Sequence, residues 1–386
     1  MRYFPIDDRH RSRKGTPALS EGSPDTKGFS WLGGAGRALY FLLLLYLFFF
    51  SIELMSTAFR MAGRGFAEQL INTASDPLAG LFLGFLATSL IQSSSTTTTI
   101  VVGLVASEAL TIPLAIPIIM GANIGTTTTN TIVSIGHVTR PREFERAFAA
   151  STVHDFFNIL AAMTLLPVEL LFHPVERMAR FLEGIFADAG GMGLASPLKA
   201  ATGPLVEGLA EALPYEIPLV AIALAVLFVS LNQMMSVMRG AVLDRMSGFF
   251  DRVLFRNDAA SFALGALMTA AVQSSSATTS LVVPLAGTGT LSIRQIFPFT
   301  LGANIGTTIT AILASFATGS TAAVTIAFAH LSFNIVGIGV FYPLRALPIW
   351  MAETLGAYAA RSRGKSAGVI TVYIALHVLP ILYVIL

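Results

Sequence analysis

The sequence predicts an all-α polytopic membrane protein made of two inverted-topology repeats, each with a broken or re-entrant helix carrying a QSSS motif. Three observations predict it. Of 386 residues, 54% are hydrophobic and only 12% charged, with a mean hydropathy of +0.72, whereas soluble domains carry about 25% charged residues. Apolar runs reaching the roughly 20 residues a span needs occur at about 38–59, 147–172, 217–236, 322–344 and 367–386. Polar motifs interrupt the apolar chain twice, in the same order: QSSSTTTT (92–99) and QSSSATTS (273–280), GANIGTTTTN (121–130) and GANIGTTIT (302–310), HDFFN (154–158) and HLSFN (330–334). The first two pairs share one offset of 181 residues (92 to 273, 121 to 302), and the third is offset by 176. An internal duplication explains such matched order.

In chain order, residues 1–35 are polar, basic and rich in Gly, Ser and Pro, and read as a disordered cytoplasmic tail. Repeat 1 follows at 36–172, opening on a first span and an interfacial stretch at 60–76. Asp76-Pro77 begins its first polar unit, which requires backbone that leaves the helix inside a membrane. Such backbone is tolerated only when buried in protein or lining a cavity. Gly121 and Gly125 permit a tight turn or a close backbone approach. An acidic extracytoplasmic connector (173–216), repeat 2 (217–347) and a C-terminal interfacial segment with a final span (348–386) complete the chain.

Positive charge prefers the cytoplasmic side. That puts the tail, 140–146, 239–256 and 361–365 inside, and the connector outside. Corresponding loops then fall on opposite faces, which is the inverted arrangement of secondary transporters. It also makes the N-terminus cytoplasmic, the C-terminus external and the protein a multi-pass component of a cell (inner or plasma) membrane.

No Lys or Arg occurs between Pro77 and Val138, between Asp258 and Ile293, or between Gln295 and Leu344. The ligand groups available inside the membrane are therefore the amides of Gln92, Gln273, Asn123 and Asn304, and hydroxyls such as Ser93, Ser94, Ser95, Ser274, Ser275 and Ser276. Hard oxygens suit alkali cations, while hydroxyls and free N–H groups at helix ends suit oxyanions. A site with both and no basic side chain fits an anion whose charge is offset by co-bound cations. Ser, Thr and Gly in membrane helices also serve as small packing residues. A Gln beside three serines, repeated in both halves, is poorly explained that way. His154 and His330 read as satisfied packing histidines. Asp155, matched by Leu331, is either an acid near a helix end or a cation ligand.

Neither a GxSxG elbow nor HExxH nor a Gly-rich GK[ST] loop is present, so enzyme and ATP-driven readings lack support. Nucleic-acid binding would need a basic face beyond the tail. With no cysteine, disulfides and thiolate metal sites are excluded. The different-class alternative is a channel or structural membrane protein whose polar motifs only pack helices.

The paired QSSS and GANIG motifs, PREFERAFAASTVHDFFNILAAMTLLPVELL (141–171) and TLGANIGTTITAILASF (300–316) continuing to HLSFNIVGIGVFYPL resemble the type II sodium-dependent phosphate cotransporter family over about 36–386. The resemblance implies a sodium-coupled importer of inorganic phosphate, with sodium as coupling ion, no cofactor, and alternating access around the two QSSS regions. It implies phosphate contacts from Ser93, Ser94, Ser95, Ser274, Ser275, Ser276, Asn123 and Asn304. It implies sodium ligands from Gln92, Gln273, Thr126, Thr127, Thr307 and Thr308. Asp155 and Asn158 resemble an additional sodium site of the charge-moving members, which implies electrogenic transport. The chain departs from animal members at His137-Val138-Thr139-Arg140-Pro141, where they often have QAGDR, and at Ala303, where they often have Ser. It lacks their long inter-repeat loop and ends a span early, resembling bacterial members. Sulfate or arsenate is the alternative cargo. Ser94→Ala and Ser275→Ala are expected to cripple transport, and Thr129→Ala to be tolerated.

Overall fold

Inside a bilayer, helices satisfy every backbone group within one segment, and the computed structural model is helical throughout its regular structure. It describes residues 34–74, 76–191, 195–254 and 257–385. The helices are α1 (Gly34–Ala74), α2 (Pro77–Ile91), α3 (Ser94–Ala106), α4 (Ile112–Gly125), α5 (Thr128–Ile135), α6 (Pro141–Phe172), α7 (Pro174–Asp188), α8 (Ala195–Ala212), α9 (Glu216–Leu254), α10 (Asp258–Val272), α11 (Ser275–Ser280), α12 (Val282–Gly287), α13 (Ile293–Thr318), α14 (Thr321–Phe341), α15 (Ala346–Ala360) and α16 (Arg363–Ile385). Apart from residues 34 and 35, which open α1, the expected tail lies outside the described residues.

Among the described residues five helices are long and apolar enough to cross a membrane: Ala35–Gly63, Pro141–Phe172, Glu216–Met238, Ile293–Thr318 and Thr321–Phe341. Four coincide with runs expected from sequence. The fifth, α13, carries the second GANIG motif as one unbroken helix. The expected interfacial stretch is a separate limb of α1, set off by Gly63 (φ 72°, ψ −168°). It meets α2 at 101°. The basic stretch after the span at 217–236 continues as helix, because α9 runs to Leu254.

Each half is built on one close helix crossing, α2 on α4 and α10 on α13. A Cβ added at Gly84 would lie 1.8 Å from the Ile118 carbonyl oxygen, and one at Gly121 would lie 1.8 Å from that of Leu81. The duplicates Gly265 and Gly302 stand 2.1 and 1.9 Å from the carbonyl oxygens of Phe299 and Phe262. Of the two roles open to the GANIG glycines, close approach is the one used: small residues let membrane helices meet backbone to backbone. Between the halves, the rings of Phe157, Phe297 and Phe341 meet edge to face and join α6, α13 and α14. The buried Glu169 carboxylate accepts from the Val175 and Glu176 amides at 2.7 and 3.0 Å, capping α7 where the connector starts.

Candidate functional site

The QSSS motifs are chain breaks with one shared geometry. After α2, Gln92 is left-handed (φ 59°, ψ 26°) and Ser93 extended (φ −151°, ψ 103°). After α10, Gln273 (φ 59°, ψ 24°) and Ser274 (φ −150°, ψ 109°) repeat this. A left-handed residue other than glycine persists only where its surroundings over-determine it, and here two devices do so. Ser93 and Ser274 cap the following helices, each Oγ accepting an amide at 3.2 Å, from Thr96 and Ala277. The glutamine side chains are clasped as well: Gln92 Oε1 accepts from Thr129 at 2.8 Å and Gln273 Oε1 from Thr310 at 2.7 Å.

The breaks are tied across the duplication. Ser95 donates to the Gln273 carbonyl at 3.3 Å, and Ser276 donates to the Thr126 carbonyl at 2.9 Å, where α4 ends. Asn130 on α5 bonds Thr279 on α11 at 2.8 Å. The serines between, Ser94 and Ser275, are 4% and 3% exposed. Both lie in first helical turns, and neither hydroxyl is hydrogen-bonded among the described residues. A hydroxyl so placed is available to donate to a ligand. With no Lys or Arg in residues 77–138 or 258–293 and the N-terminus of α3 beside it, the region offers donors for an oxyanion together with amide and hydroxyl oxygens for cations.

The asparagines expected at the phosphate and sodium sites are bonded to one another. His154 Nε2 contacts Asn304 Oδ1 at 2.7 Å, Asn304 Nδ2 donates to Asn158 Oδ1 at 2.8 Å, and Asn158 Nδ2 donates to the Asn123 carbonyl at 2.8 Å. Asn123 Nδ2 donates to the Ile119 carbonyl at 3.0 Å. These buried amides satisfy one another and join α4, α6 and α13. Asp155 and Asn158 stand three residues apart on α6, and the Asn158 amide is engaged with Asn304 and the Asn123 carbonyl. The hydroxyl protons of Thr126, Thr127, Thr307 and Thr308 go to carbonyls of their own helices, those of Ala122, Ile124, Ala303 and Ile305. Their oxygens keep lone pairs for a cation. His330 differs from the satisfied histidine expected: it is fully buried with neither ring nitrogen partnered.

Thr129 and Thr310 were legible and overlooked. Each stands 37 residues after its glutamine, at matching places in the two GANIG runs. Thr129 bonds exposed Gln92, so the expected tolerance of Thr129→Ala turns on whether water can replace that bond. Asn130 and Thr279 had no such signal, since Ala311 stands at the place matching Asn130.

A profile of the family described as Na+/Pi-cotransporter matches residues 47–189 and 226–347. The chain is 33% identical to sodium-dependent phosphate transport protein 2B of Homo sapiens, over 88% of this chain and 64% of that protein. It is 35% identical to sodium-dependent phosphate transport protein 2A of Ovis aries, over 83% and 63%. With the 2A protein of Oryctolagus cuniculus it shares 32% identity over 94% and 70%. The chain thus spans just under two thirds of the first two relatives. No solved structure matches it.

Proposed function

The chain belongs to the Na+/Pi-cotransporter family, and on that footing we propose that it is a sodium-coupled secondary transporter importing inorganic phosphate across a cell membrane. The observation that carries the reading is the reciprocal tie between the breaks, Ser95 to Gln273 and Ser276 to Thr126. It brings two polar, uncharged chain breaks together in an apolar protein. Ser94 and Ser275, hydroxyls unpartnered, are the phosphate donors. Ser93 and Ser274 keep their own protons to donate while accepting cap bonds.

Sodium is held by oxygens of Gln92, Gln273, Thr126, Thr127, Thr307 and Thr308, and by Asp155. Co-bound sodium stands in for the missing Lys and Arg. Asp155, a carboxylate present in one half only, makes transport electrogenic. The inverted halves exchange access around the breaks. Asn123, Asn158 and Asn304 hold the helices around the site and reach cargo only if the amide chain opens.

The test is uptake of labelled phosphate into proteoliposomes, with and without an inward sodium gradient, at two clamped voltages. Sodium-dependent uptake that accelerates with a negative interior is expected. Sodium-dependent uptake indifferent to voltage would remove electrogenicity. Absence of sodium-dependent uptake would overturn the cargo or its coupling ion, with sulfate, arsenate and proton gradients next.

A further inference from the structure

The two breaks are followed by unlike helices. After the first, α3 runs unbroken from Ser94 to Ala106. After the second, α11 ends at Ser280 and α12 starts afresh at Val282. Pro284, which stands where the first copy has Gly103, supplies the cause. It cannot donate to the Ser280 carbonyl four residues back, and its ring crowds that oxygen. The six-residue α11 that carries Ser275 and Ser276 is therefore cut short of the ladder that supports α3. A helix of that length holds its shape only when its surroundings fix it.

What fixes it comes from the other half. Asn130 Nδ2 donates to Thr279 Oγ1 at 2.8 Å, and the Thr279 hydroxyl reaches the Ser275 carbonyl at 2.8 Å and Asn130 Oδ1 at 3.1 Å. Three residues earlier, Ser276 donates to the Thr126 carbonyl at 2.9 Å. Thr126 and Asn130 both belong to the divided GANIG run of the first half. Asn130 and Thr279 are each 1% exposed, so water does not compete for their bond. Among the described residues this bond has no twin. Thr98 stands where Thr279 does, but its hydroxyl returns to the Ser94 and Ser95 carbonyls of its own helix at 2.9 and 3.2 Å. Ala311 stands where Asn130 does. The interrupted helix has a brace at this place, and the continuous one does not.

We infer that Asn130 is a positioning residue for the second phosphate donor, holding through Thr279 the helical turn that carries Ser275. It touches no cargo itself. Its amide grips the Thr279 hydroxyl with both ends, and that hydroxyl meets the Ser275 carbonyl. The backbone of Ser275 is thereby fixed against the first half, and with it the direction of the serine hydroxyl. The inference rests on the phosphate-transport reading and adds to it a residue outside the QSSS motifs.

The experiment compares the purified full chain with Asn130→Ala, Thr279→Val, Thr279→Ser and Thr98→Val. Two quantities are read: half-saturating phosphate in sodium-driven uptake by proteoliposomes, and protection of the α3 and α11 amides from hydrogen exchange. Asn130→Ala and Thr279→Val should each raise half-saturating phosphate about fivefold or more, as loss of one buried hydrogen bond would, and lower protection in α11. Thr279→Val keeps the side-chain volume and reads the bond even if Asn130→Ala fails to fold. Thr279→Ser, which keeps the hydroxyl, should match the unaltered protein, and Thr98→Val should leave half-saturating phosphate unchanged. Combined with Ser275→Ala, Asn130→Ala should raise it no further. Unchanged half-saturating phosphate in Thr279→Val, an equal rise in Thr98→Val, or a further rise on top of Ser275→Ala would each overturn the proposal. So would α11 protection that survives in both brace variants. Loss of that protection in a protein that takes up no phosphate would overturn the transport reading and uphold the brace.

Discussion

Gln92 and Gln273 hold the same left-handed backbone and clasp equivalent threonines, yet Gln92 is exposed and Gln273 is 6% exposed. Around Gln273 the partners are doubled: its side chain accepts from Thr310, and its carbonyl accepts from Ser95 of the other half. The helices behind them differ too. α13 carries its motif unbroken, whereas the first copy is divided at Thr126 and Thr127 into α4 and α5. Four successive threonines there return their hydroxyls to backbone or to Gln92, competing with the helix ladder. In α13 Ile309 and Ala311 remove that competition. Equivalent sequences thus give one sealed half and one open, divided half. Under the proposed alternating access the two breaks would exchange environments.

The largest expected effect treats the halves alike. Gly121→Ala and Gly302→Ala would drive a Cβ to 1.8 and 1.9 Å from a backbone oxygen. Each should cost about 3 kcal/mol or more, read as a fall in melting temperature in detergent. A tolerated alanine in one half alone would show that its crossing is looser. Next come Ser94→Ala and Ser275→Ala, each expected to lower phosphate uptake about tenfold or more, as loss of a hydrogen bond to a charged group would, with melting unchanged. Normal uptake in either variant would remove that half from the phosphate site.

The third prediction separates the halves. Thr310→Val strips the buried Gln273 oxygen of its donor and should cost about 1–3 kcal/mol. At exposed Gln92, water can replace Thr129, and Thr129→Val should cost under about 1 kcal/mol. Equal losses would mean that the two environments already exchange. The smallest effect concerns helix starts. Asp76 caps α2 and Asn257 caps α10. The Tyr383 hydroxyl and the Leu78 amide hold the Asp76 carboxyl below its ordinary 3.8. Its contribution is therefore complete above that value and fades as pH falls through the lowered one. Protection against hydrogen exchange, relative to the intrinsic rate at each pH, should fall at the start of α2 in acid, while that at the start of α10, capped by an amide, stays unchanged. Parallel loss of protection at both helices would sink this assignment.

Several sites show where sequence reasoning reached and where it stopped. The breaks were legible because Gln-Ser-Ser-Ser stands out in apolar surroundings and recurs at one offset. The clasping threonines were encoded in the same offset. The amide chain through Asn123, Asn158, Asn304 and His154 was not legible as a chain, because its members lie on three helices and the same amides could equally bind cargo.

Sequence alone determined the membrane setting, the duplication, the all-helical class, the family and the location of both polar breaks, because each is written in local composition or exact recurrence. Tertiary structure decided which groups face each other. Asn158 on α6 meets Asn304 on α13 and the Asn123 carbonyl on α4, a grouping that no spacing in the sequence dictates. It likewise decided that one break is sealed and its twin open, since burial depends on what elements distant in the chain place over a residue.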